Sequence, residues 1–115
     1  LPLTRETEGI LNKALFARLP RGAYLINAAR GAHLVEEDLI PALDTGKLSG
    51  ASLDVFRTEP LPRGHKFWSH PRILMTPHVA SVTDPRSSAD LIAENIRRIQ
   101  AGETPLYVVD PAKGY

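Results

Sequence analysis

Ala23-Tyr24-Leu25-Ile26-Asn27-Ala28 is a short, almost continuous apolar run, set between Pro20-Arg21-Gly22 and Ala29-Arg30-Gly31. A strand with one wet face alternates apolar and polar residues, whereas a run of this kind suits a parallel-sheet strand covered on both faces. Upstream, Asn12 reads as a helix cap, Leu15, Phe16 and Leu19 give an apolar face, and Pro20-Arg21-Gly22 ends the helix. Downstream, a second helix is expected from about Glu36 to Thr45, with acids in its first turn, where the helix dipole favours them, and Gly46 at its C-terminal cap. Pro41 falls inside that segment and predicts a kink or a late start, because it removes one backbone donor and crowds the preceding turn.

Ala51-Ser52-Leu53-Asp54-Val55 is the next expected strand, residues 57–71 a long loop rich in Pro, Gly and charge, and Arg72 to Thr76 a third short strand. The last helix has Asp84 as its cap, Pro85 at its first position and Gly102 past its end. Ala89, Ile92, Ala93, Ile96 and Ile99 share one face of it, and Leu106 to Val109 is the apolar part of the tail. Helix, strand, helix, strand, loop, strand, helix is the order of an α/β parallel sheet. Three strands are few for an open sheet and leave both edges bare. The chain also opens on Leu1-Pro2-Leu3-Thr4 without an initiator Met, its only Met being Met75. Both features lead us to expect a piece of a larger protein.

Composition narrows the function classes. The 115 residues carry 14 Lys+Arg against 13 Asp+Glu, a net charge of +1, which offers no electrostatic case for nucleic acid or an anionic membrane surface. No apolar run approaches the roughly 20 residues that a membrane-spanning helix needs. There is no Cys, so disulfides and thiolate metal sites are excluded, and no metal site is expected. A cytoplasmic location fits this composition.

Open α/β sheets bind ligands beyond the C-terminal ends of their strands. One strong polar group follows each strand here: Arg30 after the first, Asp54 and then Glu59 after the second, His78 after the third. Taken singly, each has an ordinary explanation: a solvated Arg, a turn-capping Asp, a surface Glu, a His in a Pro77-His78 turn. Three strand ends each with its own functional group favour a site instead. An Arg fork binds a carboxylate through two parallel hydrogen bonds. A His titrates near neutrality, so it can pass a proton to a carbonyl oxygen and take it back, and a neighbouring carboxylate favours the protonated imidazole and orients the ring. Arg, Glu and His together support reduction of a 2-keto acid, provided that an organic cofactor brings the hydride.

Four blocks in order, Leu-Pro-Leu-Thr-x-x-Thr at 1–7, Leu-Ile-Asn-Ala-Ala-Arg-Gly at 25–31, Leu-Asp-Val-Phe-x-x-Glu-Pro at 53–60 and Pro-His-Val-Ala-Ser at 77–81, resemble the signature of the D-2-hydroxyacid dehydrogenases over essentially the whole chain. The resemblance implies the second half of a Rossmann-like doubly wound sheet, with residues 1–115 forming the C-terminal part of a nucleotide-binding domain plus its last helix and tail. The family's glycine-rich loop and substrate domain have no counterpart in this sequence, so the piece alone is expected not to turn over. It further implies Arg30 as the anchor for substrate carboxylate and carbonyl, His78 as acid/base and Glu59 as its partner. Asp54 would hold the nicotinamide carboxamide, with Leu3, Thr4, Ala28, Ala29, Arg30, His78 and Ala80 lining the NADP or NAD pocket. The expected substrate is a small 2-keto or 2-hydroxy acid, and the expected assembly of the full-length protein is a homodimer.

Trp68-Ser69-His70-Pro71 and Lys113-Gly114-Tyr115 are most similar to the bacterial A type of glyoxylate/hydroxypyruvate reductase. A dehydrogenase-like corepressor that docks peptides is the alternative, to be separated by the sequence upstream of Leu1. Formate dehydrogenases share the scaffold but are expected to carry Gln where Glu59 stands, which disfavours them. A degraded piece with no function of its own is a further possibility, which the mass of the material decides.

Overall fold

Ile26, Ser52 and Leu74 stand side by side across three parallel strands, β1 (Ala23–Asn27), β2 (Leu48–Leu53) and β3 (Ile73–Met75), paired in the order β1-β2-β3. The computed structural model describes residues 1–81 and 83–112, so the Lys113-Gly114-Tyr115 part of the reductase-like pattern lies outside the described residues. Two units make up the chain, Leu1–Ala80 and Ser81–Tyr115.

In the first unit, α1 (Lys13–Arg18) starts at Asn12, whose Oδ1 accepts from the Leu15 amide at 3.0 Å. α2 (Glu36–Asp44) follows a 3-10 turn at Gly31–His33. The residues at register Leu25–Ala51–Ile73 and Asn27–Leu53–Met75 form the covered row of the sheet. Phe16 of α1 and Leu39, Ala42 and Leu43 of α2 pack with Leu25, Leu48, Ala51 and Leu53 into one buried cluster, which Leu34 and Phe67 complete. At roughly 25 cal/mol per Å² of apolar area removed from water, this cluster is the main stabilising element of the unit.

Four local expectations need correction. β2 spans Leu48–Leu53 rather than 51–55: Ser49 and Gly50 look like turn residues, yet Leu48 pairs with Ala23 and Gly50 with Tyr24, Ser49 being the extra residue between them, and Gly50 is small enough for the Tyr24 ring to lie over it. A Cβ at Gly50 would come within 2.5 Å of that ring. α2 does not start late, but runs from Glu36 through Pro41, whose ring is on the exposed side while Leu39, Ala42 and Leu43 anchor the opposite one. The 57–71 loop contains a 3-10 turn, Lys66–Ser69, that inserts Phe67 into the core. Most consequentially, the sheet is covered on one face only within this unit: Tyr24 is 54% exposed, Ile26 69% and Leu74 61%.

That bare row should make the 115-residue chain self-associate, since large apolar surfaces and unpaired strand edges are sticky. Light scattering should show an average mass rising with concentration, and Ile26→Lys should reduce the rise. A mass fixed at that of one chain across the concentration range counts against this reading.

In the second unit, Asp84 caps α3 (Pro85–Gln100) by accepting from the Arg86 and Ser87 amides at 3.2 and 3.3 Å. Gly102 takes φ +74° past its end, the left-handed turn that glycine accommodates without strain. The tail returns along the helix: Asn95 Oδ1 accepts from the Leu106 amide at 2.7 Å, and the Arg98 guanidinium donates to the Thr104 carbonyl at 2.8 Å. Ile92, Ile96 and Ile99 are all exposed. Among the described residues no helix is long and apolar enough to cross a membrane.

Candidate active site

The C-terminal ends of the three strands and the turns after them build a single polar edge. After β1, buried Asn27 folds the chain back on itself, its amide nitrogen donating to the Arg30 carbonyl at 3.1 Å and its Oδ1 accepting from the Ala29 amide at 3.3 Å. This small loop projects Arg30 outward. Nη1 of Arg30 donates to the Ala29 carbonyl at 2.7 Å, which steadies the guanidinium while other N–H donors of its fork remain for a ligand.

After β2, buried Asp54 ties two strand ends together. Its Oδ1 accepts from the Thr76 hydroxyl at 2.5 Å and the Val79 amide at 2.9 Å, and its Oδ2 accepts from the Ala80 amide at 2.9 Å. The Thr76 hydroxyl is the chief cause that holds this carboxyl below its ordinary range. The two amides act in the same direction, while burial opposes them.

Glu59 and His78 meet next to it, with Glu59 Oε2 2.8 Å from His78 Nδ1. Glu59 Oε1 accepts from the Phe56 amide at 2.9 Å, so the carboxylate closes its own loop while facing the imidazole. His78 and then the Phe56 amide hold Glu59 below the usual glutamate range. His78 itself has φ +55°, a left-handed conformation uncommon outside glycine, kept in place by the hydrogen bond from its amide to the Asp54 carbonyl at 2.8 Å.

Leu3, Arg30, Glu59 and His78 line one cleft of about 300 Å³, together with Gly31, Ala32, Phe56 and Arg57. The His33 ring, buried, meets the Pro2 carbonyl at 3.2 Å and thereby sets the 1–4 segment beside the Arg30 turn. Asp54 and Ala80 are joined by their hydrogen bond. Thr4, Ala28 and Ala29 do not line this cleft: Thr4 closes a turn with Thr7, its amide donating to Thr7 Oγ1 at 2.8 Å, Ala28 is exposed, and Ala29 is half-buried. A second, apolar hollow of about 600 Å³ opens on the other side of Glu59 and His78, walled by Phe56, Leu61, Trp68 and Met75. Sequence reasoning missed Asn27, Gly31 and Thr76, whose contribution is to backbone shape. Among the described residues no group of His, Asp and Glu is arranged to hold a metal ion.

The arrangement can bind an anion at Arg30 and exchange a proton at His78. It also suits a nicotinamide group: among the described residues Asp54 Oδ2 accepts only from the Ala80 amide, which leaves a lone pair for a carboxamide N–H.

Residues 1–80 match the sequence profile of the D-isomer specific 2-hydroxyacid dehydrogenase, NAD binding domain. Glyoxylate/hydroxypyruvate reductase A of Serratia proteamaculans is 60% identical over all 115 residues, which span 37% of its length. A D-isomer specific 2-hydroxyacid dehydrogenase from Xanthobacter autotrophicus Py2, solved with NADPH and MES, superposes with a TM-score of 0.94 at 53% identity, over 100% of this chain and 48% of its own. The NADPH-dependent glyoxylate/hydroxypyruvate reductase of Sinorhizobium meliloti, solved with NADP and sulfate, gives 0.90 at 47% identity, over 100% of this chain and 38% of its own. The chain spans little more than a third of the curated relatives it matches. With the parallel sheet and the polar edge at its strand ends, these matches show that the chain belongs to the D-isomer specific 2-hydroxyacid dehydrogenase family, through its NAD binding domain.

Proposed function

We propose that this chain is the C-terminal part of the nucleotide-binding domain of an NAD(P)H-dependent reductase acting on small 2-keto acids such as glyoxylate and hydroxypyruvate. The observation that carries the reading is the 2.8 Å His78–Glu59 contact on a cleft shared with Arg30. The dinucleotide, bound in its reduced form as NADPH or NADH, would supply the hydride and leave as NADP or NAD; both solved relatives above hold NADPH or NADP. Arg30 anchors the substrate carboxylate. His78 turns its second ring nitrogen toward the carbonyl oxygen and gives it a proton as negative charge develops there. Glu59 orients the ring and Asp54, tied to Ala80, takes the nicotinamide carboxamide; the roles of Leu3, Thr4, Ala28 and Ala29 in the cofactor pocket rest on the family resemblance. A cytoplasmic homodimer is part of the same proposal. It rests on the absence of Cys and on the family resemblance. Nothing in the geometry favours the corepressor alternative.

Loss of NAD(P)H absorbance with glyoxylate or hydroxypyruvate, using the full-length polypeptide, tests the activity directly. Arg30→Lys keeps the charge and removes the planar fork, so substrate KM should rise roughly 10- to 100-fold, as expected for about 1.5–3 kcal/mol of lost charged hydrogen bonding, with cofactor KM little changed. An unchanged substrate KM and kcat would remove Arg30 from the role of carboxylate anchor.

A further inference from the structure

We propose that Glu36 is a positioning residue for the Glu59–His78 pair, an inference that rests on the function proposed above. Glu36 begins α2, and its side chain is only 18% exposed. Its Oε1 accepts from the Arg57 amide at 3.2 Å, and its Oε2 lies 3.4 Å from His65 Nε2. His65 is itself fixed, because its Nδ1 accepts from the amide of buried Phe67 at 3.3 Å. With Nδ1 so occupied, Nε2 is the nitrogen that presents a proton to Glu36.

The adjacent amides of Phe56 and Arg57 are therefore each held by a carboxylate. Phe56 N–H meets Glu59, which faces His78, and Arg57 N–H meets Glu36, which is rooted in a helix and in His65. The two peptide planes meet at the Phe56 Cα, so with both amides held by carboxylates the φ and ψ of Phe56 are restricted, and Glu36 helps to set the backbone from which Glu59 reaches the imidazole. It touches neither substrate nor cofactor. Its effect passes through the 56–59 turn.

The test compares Glu36→Ala and Glu36→Gln in the full-length protein, alone and combined with Glu59→Gln. Glu36→Gln retains an acceptor for the Arg57 amide and should keep kcat within about threefold. Glu36→Ala removes it and should lower kcat by roughly tenfold or more, with NAD(P)H affinity, read by fluorescence, unchanged. In the Glu59→Gln background Glu36→Ala should cost less than about twofold further, because residues acting through one another are not additive. Hydrogen exchange at the amides of 56–59 should accelerate in Glu36→Ala alone. Multiplying effects, an equal loss in both Glu36 variants, or unchanged exchange at 56–59 would each overturn the proposal. If Glu59→Gln leaves the alkaline limb of the reduction profile in place, the role given to Glu59 in the functional reading fails instead, while the exchange data still decide whether Glu36 holds the turn.

Discussion

His78→Asn is expected to lower kcat/KM for keto-acid reduction by roughly 10²- to 10⁴-fold, the range over which general acid catalysis acts. Asn tolerates the left-handed φ of +55° at this position, so the backbone survives and the loss reports the imidazole. Glu59→Gln should behave differently. Glu59 is held below the usual glutamate range by His78 and the Phe56 amide, so it is an anion throughout the neutral and alkaline range in which the reduction is followed. Across the working range a negative charge therefore stands 2.8 Å from Nδ1 and favours the protonated ring. Replacing it with a neutral amide should leave appreciable turnover but move the alkaline limb of the reduction profile to lower pH, with the acid limb less affected. Profiles of kcat/KM against pH for both variants separate the roles. An alkaline limb that stays in place would reduce Glu59 to a loop residue beside the site.

Gly31→Ala should be nearly as damaging, for a steric reason. A Cβ there would fall 1.9 Å from the Phe56 carbonyl carbon, 2.0 Å from its oxygen and 2.4 Å from the Arg57 nitrogen. All three are backbone atoms, so no rotamer change relieves the overlap, and the turn carrying Glu59 must shift away from the turn carrying Arg30. Overpacking costs about 1–3 kcal/mol where side chains can adjust, and this substitution belongs at or beyond the upper end. Denaturant titration should show the midpoint falling, with turnover dropping more than tenfold in whatever protein remains folded. Gly50→Ala is the milder comparison, because its closest contacts are with the edge of the exposed Tyr24 ring, which can swing away, and the backbone oxygen of Arg72 stands farther off at 3.3 Å. A Gly31→Ala protein with wild-type midpoint and activity would mean that the two turns are not in such close contact.

Much of this was legible from the residues. Asn12 and Asp84 cap the helices expected of them, because a cap is a local matter of one side chain and two or three amides. Arg30, Glu59 and His78 could be picked out because each follows a strand, and parallel strands deliver their ends to one edge. The extent of β2 was hidden, since Leu48 and Gly50 become strand only through pairing with β1, across an irregularity at Ser49. The one-sided burial of the sheet was hidden too, as Tyr24 and Ile26 are apolar whether or not anything covers them. Glu36 was concealed by a sufficient local explanation: three consecutive acids at a helix start suit the dipole, and only the fold shows that the first of them holds the Arg57 amide.

The left-handed backbone at His78 sets fold and reaction at odds at a single position. Glycine would relax that backbone and could raise resistance to heat, since a non-glycine residue there costs on the order of 1 kcal/mol or more, yet it would remove the proton donor. A library screened for thermal survival should therefore enrich replacements at position 78 that the same library, screened for turnover, discards.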